Sequence, residues 1–600
     1  MTSHELIPES PRPEEVEPAT PPPAERLGRR PVREAAIVGG PALLAMYLGY
    51  RQRWVGDDGM IYARTVRQLL AGHGPVFNVG ERAEASTGTL WQWLVTAATY
   101  LSGRDPSVVA VTLGILLTGA GYLAATAAAR KAVRPLTAAP LLPLGMLVLL
   151  AVKADWDYAS SGLENGLTTG WIGAAWWLLV GARPTAAPPA TGRTGLRRRR
   201  EWATAFVIGL GPLVRPDLAL VSAVFLGALW WLLRPPVGRT LLMLGAAAGL
   251  PAAYEVFRAG YYGVLVPLPA LTKEASDAVW TRGFAYLGNF TGPYHLWLPL
   301  TLLAGLAAFA FVPRRAAARP ELLAPPVAGL LSWLYVCRVG GDFMHGRLLV
   351  PGLLLLMMPL CAVPLSRPVV AVAGALAVWA VCCALLWRPV ASSGNPYLIL
   401  DEQRDYVSYT HDPHPITEAT HARRAKPLRP ALRAADSAGK PVLLLQTPAS
   451  NGRFVSLPLA RRLRARTAGS YDLLGYNGIV TPLSDTSVDP LGLAYPLAAH
   501  QTRAAGRTAG RSGHEKPLDP AWIIADYTDP ATTPPPGIDP ARVRAARHAL
   551  TCGPLAELQS SVRAPLTPSR FLRNLAGAWT RTGFRYPDDP VRAEQALCRG

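Results

Sequence analysis

The stretch WVGDDGMIYARTVRQLLAGHGPVFNVGERAEASTGTLW, residues 54–91, decides how the rest of the chain is read. It follows an apolar run at 35–52 and leads into a second, TLWQWLVTAATYL, at 89–101. Asp57 and Asp58 stand just past the end of the first run. Ionised groups pressed against a bilayer are costly and need a partner or a task, and adjacent like charges raise at least one pKa. Chemistry at a membrane face is therefore the first expectation.

The chain has 600 residues, of which 50% are hydrophobic and 17% charged. That balance is too apolar for a soluble enzyme and too polar for a chain that is all membrane. A crossing helix needs about 20 largely apolar residues. Eleven stretches approach this: 35–52, 106–129, 136–152, 166–182, 202–217, 218–233, 240–258, 293–312, 320–337, 347–365 and 368–388. The net charge of +20 points away from nucleic acid, because many arginines sit in short runs between apolar segments, where the positive-inside rule puts them. With the N-terminus cytoplasmic, Arg130, Lys131 and Arg134, then Arg193 with Arg197–Arg200, Arg234 and Arg239, Arg314, Arg315 and Arg319, and Arg367 all fall inside. Counting 89–101 as a span would move them outside, so it is laid along the outer interface, where its tryptophans are comfortable.

The organisation expected is a polytopic α-helical membrane protein. Residues 1–34, rich in proline and glutamate, form a disordered cytoplasmic tail, 35–388 the transmembrane domain, and 389–600 an extracytoplasmic soluble domain. The last has prolines throughout, alternating apolar runs such as PVLLLQT at 441–447 and AWIIADY at 521–527, and arginine-rich stretches. It reads as a small mixed α/β domain, with Arg461, Arg462, Arg464 and Arg466 on a solvated helix face. Cys552 and Cys598 fall in the exported part, where they are able to pair. No phosphate-binding glycine loop or zinc spacing is present.

This topology places Asp57, Asp58, Glu164, Arg215, Asp217, Lys273, Asp342, His345 and Arg347 at outer span ends. Acids and bases gathered at one face suit a reaction in which a lipid-linked phosphate leaves and a carboxylate assists a hydroxyl. A carboxylate can take the hydroxyl proton, and Arg or Lys can neutralise the departing phosphate. Asp57 and Asp58 are the catalytic candidates and the other seven the substrate-binding ones. Each also has a structural reading. Asp58 could be the N-cap of an interfacial helix, leaving Asp57 the freer base. Glu164 could cap the next span, Arg215 and Asp217 could pair across a turn, and Lys273 could snorkel. Asp342 and Arg347 could pair within GGDFMHGR, and His345 could be a satisfied turn residue. Carboxylates such as Asp57 and Asp217 could hold Mg²⁺ through water, although nothing in their spacing demands it.

GDDGMIYARTVRQLLAGHGPVFNVGERAEASTGTLW followed by VGGDFMHGRLLVP resembles the terminal β-(1→2) arabinofuranosyltransferases of mycobacterial-type cell walls. GYNGIVTPLSDTSVDPLGLAYPLAAH and SGHEKPLDPAWIIADY are similar to that family's C-terminal region, so the resemblance covers most of the chain past residue 35. It implies a GT-C glycosyltransferase fold whose first outer loop carries interface helices and the catalytic aspartate, matching Asp57 and Asp58. It also implies a polyprenyl-phosphate-linked donor, decaprenylphosphoryl arabinose, and a glycan acceptor, the arabinan end. Donor and product in that family are both β-linked, which requires retention by a covalent glycosyl-enzyme or a same-face route. The rival readings are a GT-C transferase of another polyprenyl-phosphate sugar, a transporter or flippase, and a non-catalytic scaffold that binds wall glycan.

Overall fold

The computed structural model describes residues 24–184, 194–274, 277–311, 319–387, 396–422, 428–503 and 512–598. Of the expected unstructured tail, 1–23 lie outside the described residues. From Ala24 the chain is already helical (α1, Ala24–Arg51), since past Pro23 the residues from Ala24 to Arg30 are mostly good helix formers.

Three further helices set the frame. These are α2 (Asp57–Leu70), α3 (Thr89–Ser102) and α4 (Pro106–Val133). Helix α3 is the segment on which the topology turned. Its 14 residues reach about 21 Å at 1.5 Å each, short of a hydrocarbon core of about 30 Å. Gly103, in the left-handed region at φ 64, stops it, and Tyr100 and Leu101 at its end are exposed.

Among the described residues, five helices are long and apolar enough to cross a membrane: Pro106–Leu136, Pro216–Leu233, Val237–Tyr261, Pro320–Arg338 and Arg367–Leu385. Other anticipated spans are helical, and in three of them proline shortens or breaks the helix. The 136–152 stretch contains Pro140 and Pro143 and becomes strand β1 (Leu141–Leu142) followed by an eight-residue helix, Leu144–Ala151. The 347–365 stretch is Val350–Met357, then a 3₁₀ turn through Pro359 and strand β2 (Val363–Pro364), which pairs with β1. The 202–217 stretch breaks at Pro212 and Pro216, which cannot continue a helix without losing a hydrogen bond.

The basic runs that are described gather at one end. Glu34 pairs with Arg130 at 3.0 Å and Arg134 at 2.9 Å. Arg319 donates to the Ala132 carbonyl at 2.8 Å, and Glu321 pairs with Arg319 and Arg183. Arg193, Arg314 and Arg315 lie outside the described residues. At the opposite end stand the start of α2, the N-terminus of the Asn165–Gly181 helix and the loop 339–349.

The C-terminal part carries a four-stranded sheet in the order β4-β3-β5-β6, with β3 Val442–Leu445, β4 Val455–Pro458, β5 Thr467–Ser470 and β6 Thr486–Val488. Strand β3 is antiparallel to β4 and parallel to β5. The two-residue period of a strand sends Leu443 and Leu445 into a core with Trp522 and Ile524, while Leu444 packs with Leu428 and Leu432 on the other face. The segment AWIIADY, expected to alternate as a strand, is instead helix Pro520–Tyr527. Asp519 caps it by accepting from the Ala521 amide, Pro520 takes its first turn, and all seven following residues are buried. An element apolar on every side shows no period by which helix and strand can be told apart. Arg461, Arg462, Arg464 and Arg466 lie in an irregular connection rather than on a helix. Cys552 and Cys598 form a disulfide with Cα atoms 5.3 Å apart.

Candidate active site

Helix α2 begins at Asp57 itself. Gly56 is its N-cap and makes no side-chain cap bond, so Asp58 is not the cap its position suggested. Of the two aspartates, Asp57 is the more firmly held. The Asp57 carboxylate, almost buried, accepts from the amides of Gly475 and Tyr476, both at 2.9 Å. These amides belong to the first turn of the Leu474–Val480 helix, where free N–H groups favour an anion. Asp57 thereby docks the C-terminal part onto α2. Gly475 allows the approach, because a side chain there would collide with the Asp57 carbonyl. Asp58 keeps 24% of its side chain exposed and accepts from Arg347 Nη1 at 3.3 Å.

Arg64, one face further along α2, reinforces the docking. It is fully buried, and its guanidinium donates to five carbonyls, those of Phe77, Gly478, Thr481, Pro482 and Asp485, at 2.6 to 3.2 Å. Burial lowers its pKa to about 10, so it remains charged.

A cavity of about 210 Å³ opens where these elements meet. It is lined by Asp57, Asp58, Glu164, Arg215, Asp217, Lys273, Asp342 and Arg347, eight of the nine candidates. Glu164 has 1% of its side chain exposed. It is the N-cap residue of the Asn165–Gly181 helix, yet its side chain makes no cap bond. It accepts instead from Tyr62 Oη at 3.0 Å and Arg347 Nη2 at 3.4 Å, with Arg215 Nε 3.9 Å away. Burial, and then the Glu164 charge, push the Tyr62 phenol well above its ordinary pKa, so it is a permanent donor.

Arg215 and Asp217 do pair across their turn, in a fork of 2.9 and 2.8 Å. Burial opposes the charge on Arg215, but Asp217 and Glu164 outweigh it and raise its pKa. For Arg347 burial is likewise outweighed, by Glu164, Asp342 and Asp58. Burial would raise the Asp342 carboxyl, and Lys273 and Arg347 hold it below the usual range. Its Oδ1 accepts from the Phe343 amide at 2.9 Å and lies 3.8 Å from Lys273 Nζ. Among the described residues, a buried N–H of each arginine, Nη1 of Arg215 and Nε of Arg347, has no hydrogen-bond partner. A buried orphan donor costs about 1–3 kcal/mol.

His345 is the candidate that does not line the cavity. Its Nδ1 is 2.8 Å from Asn289 Oδ1, and its ring packs between Phe290 and Tyr294. Burial lowers its pKa to about 4, so it is neutral.

Sequence reasoning missed the wall supplied by the C-terminal part: Asp472, Leu473, Leu491, Leu493, Ser512, Gly513 and His514. His514 meets the Phe343 ring edge-on. Its loop is pinned by Glu515, which pairs with Arg282 and accepts from the Gly513 amide at 2.8 Å, and by Lys516, whose Nζ is 2.7 Å from Glu274. The signal was present in SGHEK, a histidine between small and charged residues, but nothing local placed it near residue 58. The residues suggested for Mg²⁺ do not fit such an ion. Asp57 is held by amides and Asp217 by an arginine fork. Among the described residues, no three cavity acids bring ligand atoms together.

A profile of the AftB family C-terminal domain matches residues 464–591. The terminal β-(1→2)-arabinofuranosyltransferase of Mycobacterium tuberculosis is 34% identical over 626 aligned positions, spanning 93% of this chain and 96% of that protein. The enzyme of the same name from Corynebacterium glutamicum is 32% identical over 594 positions, 91% of this chain and 84% of that one. Among solved structures, ArnT from Cupriavidus metallidurans bound to undecaprenyl phosphate superposes with a TM-score of 0.38 at 17% identity, over 68% of this chain and 72% of that one; this likeness is too loose to carry argument. With the two relatives matched nearly end to end, the chain belongs to the terminal β-(1→2)-arabinofuranosyltransferase family and is a membrane glycosyltransferase.

Proposed function

We propose that this enzyme takes arabinofuranose from decaprenylphosphoryl arabinose and adds it to arabinan ends, forming terminal β-(1→2) linkages, with Asp58 as the catalytic carboxylate. The reaction occurs on the extracytoplasmic side, where the cavity and the C-terminal part lie, with the N-terminus in the cytoplasm and a GT-C arrangement of helices below. The observation that carries the choice of Asp58 is the unequal engagement of the five acids that the membrane part contributes to the cavity. Asp57 is held by two amides, Glu164 by Tyr62 and Arg347, Asp217 by both arms of Arg215, and Asp342 by an amide and Arg347. Asp58 has a single long contact to Arg347 and an exposed edge on the cavity.

Arg215, Arg347 and Lys273 bring three positive charges to the cavity wall, where the donor phosphate binds. As the glycosyl bond to phosphate breaks, the growing charge on the phosphate oxygen meets cations already fixed in place, which lowers the barrier without reorganisation. Asp58 then serves either retaining route. It attacks the anomeric carbon to give a glycosyl-enzyme, or it holds the acceptor hydroxyl on the face the phosphate leaves and takes its proton. Asp57 positions rather than reacts. His514 and Asp472 face the acceptor.

Purified enzyme supplied with synthetic decaprenylphosphoryl arabinose and an arabinan oligosaccharide should yield a product with one added β-(1→2) arabinofuranose by mass and linkage analysis. Transfer from a mannosyl lipid but not from the arabinosyl lipid would reject the assignment in favour of another GT-C sugar.

A further inference from the structure

The helix Pro568–Gly583 is built inside out. The residues it turns toward the protein are Arg570, Asn574, Ala578 and Arg581, all buried. The stripe it turns outward is Leu572, Leu575 and Trp579, exposed to 63%, 36% and 80%. Spacings of three and four place these three residues on one face. A helix covering a water-soluble body shows the reverse pattern. The inward polar groups fix this orientation. Arg570 meets Glu557 at 3.0 Å and Ser560 at 2.7 Å, Asn574 donates to the Gly260 and Ser561 carbonyls, and Arg581 Nε donates to the Gly263 carbonyl at 2.8 Å.

These contacts also set where the helix sits. It crosses the cavity end of the Val237–Tyr261 helix, where Gly260 lacks the side chain that would collide with the Phe571 ring. That helix is one of the five able to cross a membrane, and it is itself largely bare, with Leu241, Leu244, Leu250 and Val256 exposed. The bare surface of a span and the outward stripe thus belong to two helices in direct contact.

We propose that the helix Pro568–Gly583 lies in the interface of the cavity-side leaflet, with Leu572, Leu575 and Trp579 at the boundary of headgroups and acyl chains, and anchors the C-terminal part to the bilayer. Tryptophan is favoured at that depth, and exposed Arg573 extends to the headgroups. The inference rests on the membrane-spanning character of the Val237–Tyr261 helix and not on the transferase reading. Its effect is to hold the segments bearing Asp472 and His514 at a set height above the lipid.

The test uses the full-length protein in lipid nanodiscs containing a nitroxide-labelled phospholipid. A bimane fluorophore is attached at Trp579→Cys in a Cys382→Ser background, with Asp436→Cys, 79% exposed in the wild type, as control. Quenching at 579 is expected to be several-fold stronger than at 436. Equal quenching overturns the proposal, and so does the shielding that a second copy of the chain over the stripe would give. Where Trp579→Cys fails to fold, Leu572→Cys replaces it with the same expectation.

Discussion

Asp57 and Asp58 are neighbours in sequence with opposite duties, and substitution should separate them. Asp58→Asn keeps the size and every docking contact, so its melting temperature should stay near wild type while transfer falls about 10²- to 10⁴-fold, the range for loss of a positioned acid or base. Asp57→Asn places an amide donor against two backbone donors, and a buried mismatch of this kind costs about 1–3 kcal/mol. Its defect should appear first as a lowered melting temperature. A stable, fully inactive Asp57→Asn beside an active Asp58→Asn would reverse the assignment. The pair itself was legible in the sequence, because charges beside a membrane segment stand out. Their division of labour was not, because it is decided by the amides of Gly475 and Tyr476, more than four hundred positions away. The GGDFMHGR loop was half legible in the same way. Asp342 and Arg347 reach the cavity, whereas His345 is turned from it by a bond to Asn289 that no local pattern announces.

At the level of elements, α2 is the hinge between the two halves of the protein, and Arg64 is its fastening. Arg64→Met keeps the length of the side chain and removes a donor from five carbonyls, of which those of Phe77 and Pro482 keep another in Gln68 Nε2 and the Asp485 amide. The loss should be about 3 kcal/mol or more. Limited proteolysis should then cut first in the segments flanking the Leu474–Val480 helix, while the membrane-embedded part stays intact. A variant as resistant as wild type would show that the docking rests elsewhere. Helices with a clear amphipathic or uniformly apolar signal over 18 or more residues were recoverable from sequence, and α4 and the Arg367–Leu385 helix are examples. Short buried elements were not. AWIIADY carries no usable period, and its helical state is set by the Asp519 cap and the cores it fills.

For the molecule as a whole, pH should act through buried histidines. His345, His421 and His500 each have their pKa lowered from 6.5 to about 4, chiefly by burial. At these three sites the unfolded chain binds more protons than the folded one between those values, so their contribution to stability falls as pH drops through that window and levels off above it. Asp489, whose pKa burial raises to about 6, acts in the opposite sense. The part of the melting temperature set by these histidines should be flat above about pH 6.5 and decline toward pH 4. The decline should shrink when His500 is replaced by Gln, whereas an unchanged slope would remove that residue from the explanation. The sequence conveyed that the chain carries several membrane helices, because their apolar runs stand out in composition. It did not convey that the two parts share one cavity, since shared walls are a matter of tertiary distance. That sharing bears on biogenesis. The loop after α1 leaves the ribosome early, yet Asp57 meets the amides of Gly475 and Tyr476, and Arg64 four of its five carbonyls, at positions 475–485. Through most of translation the nascent loop must therefore wait with its ionised groups in water, and a chain stopped short of residue 475 would insert its helices and remain permanently unfinished at the one place where it works.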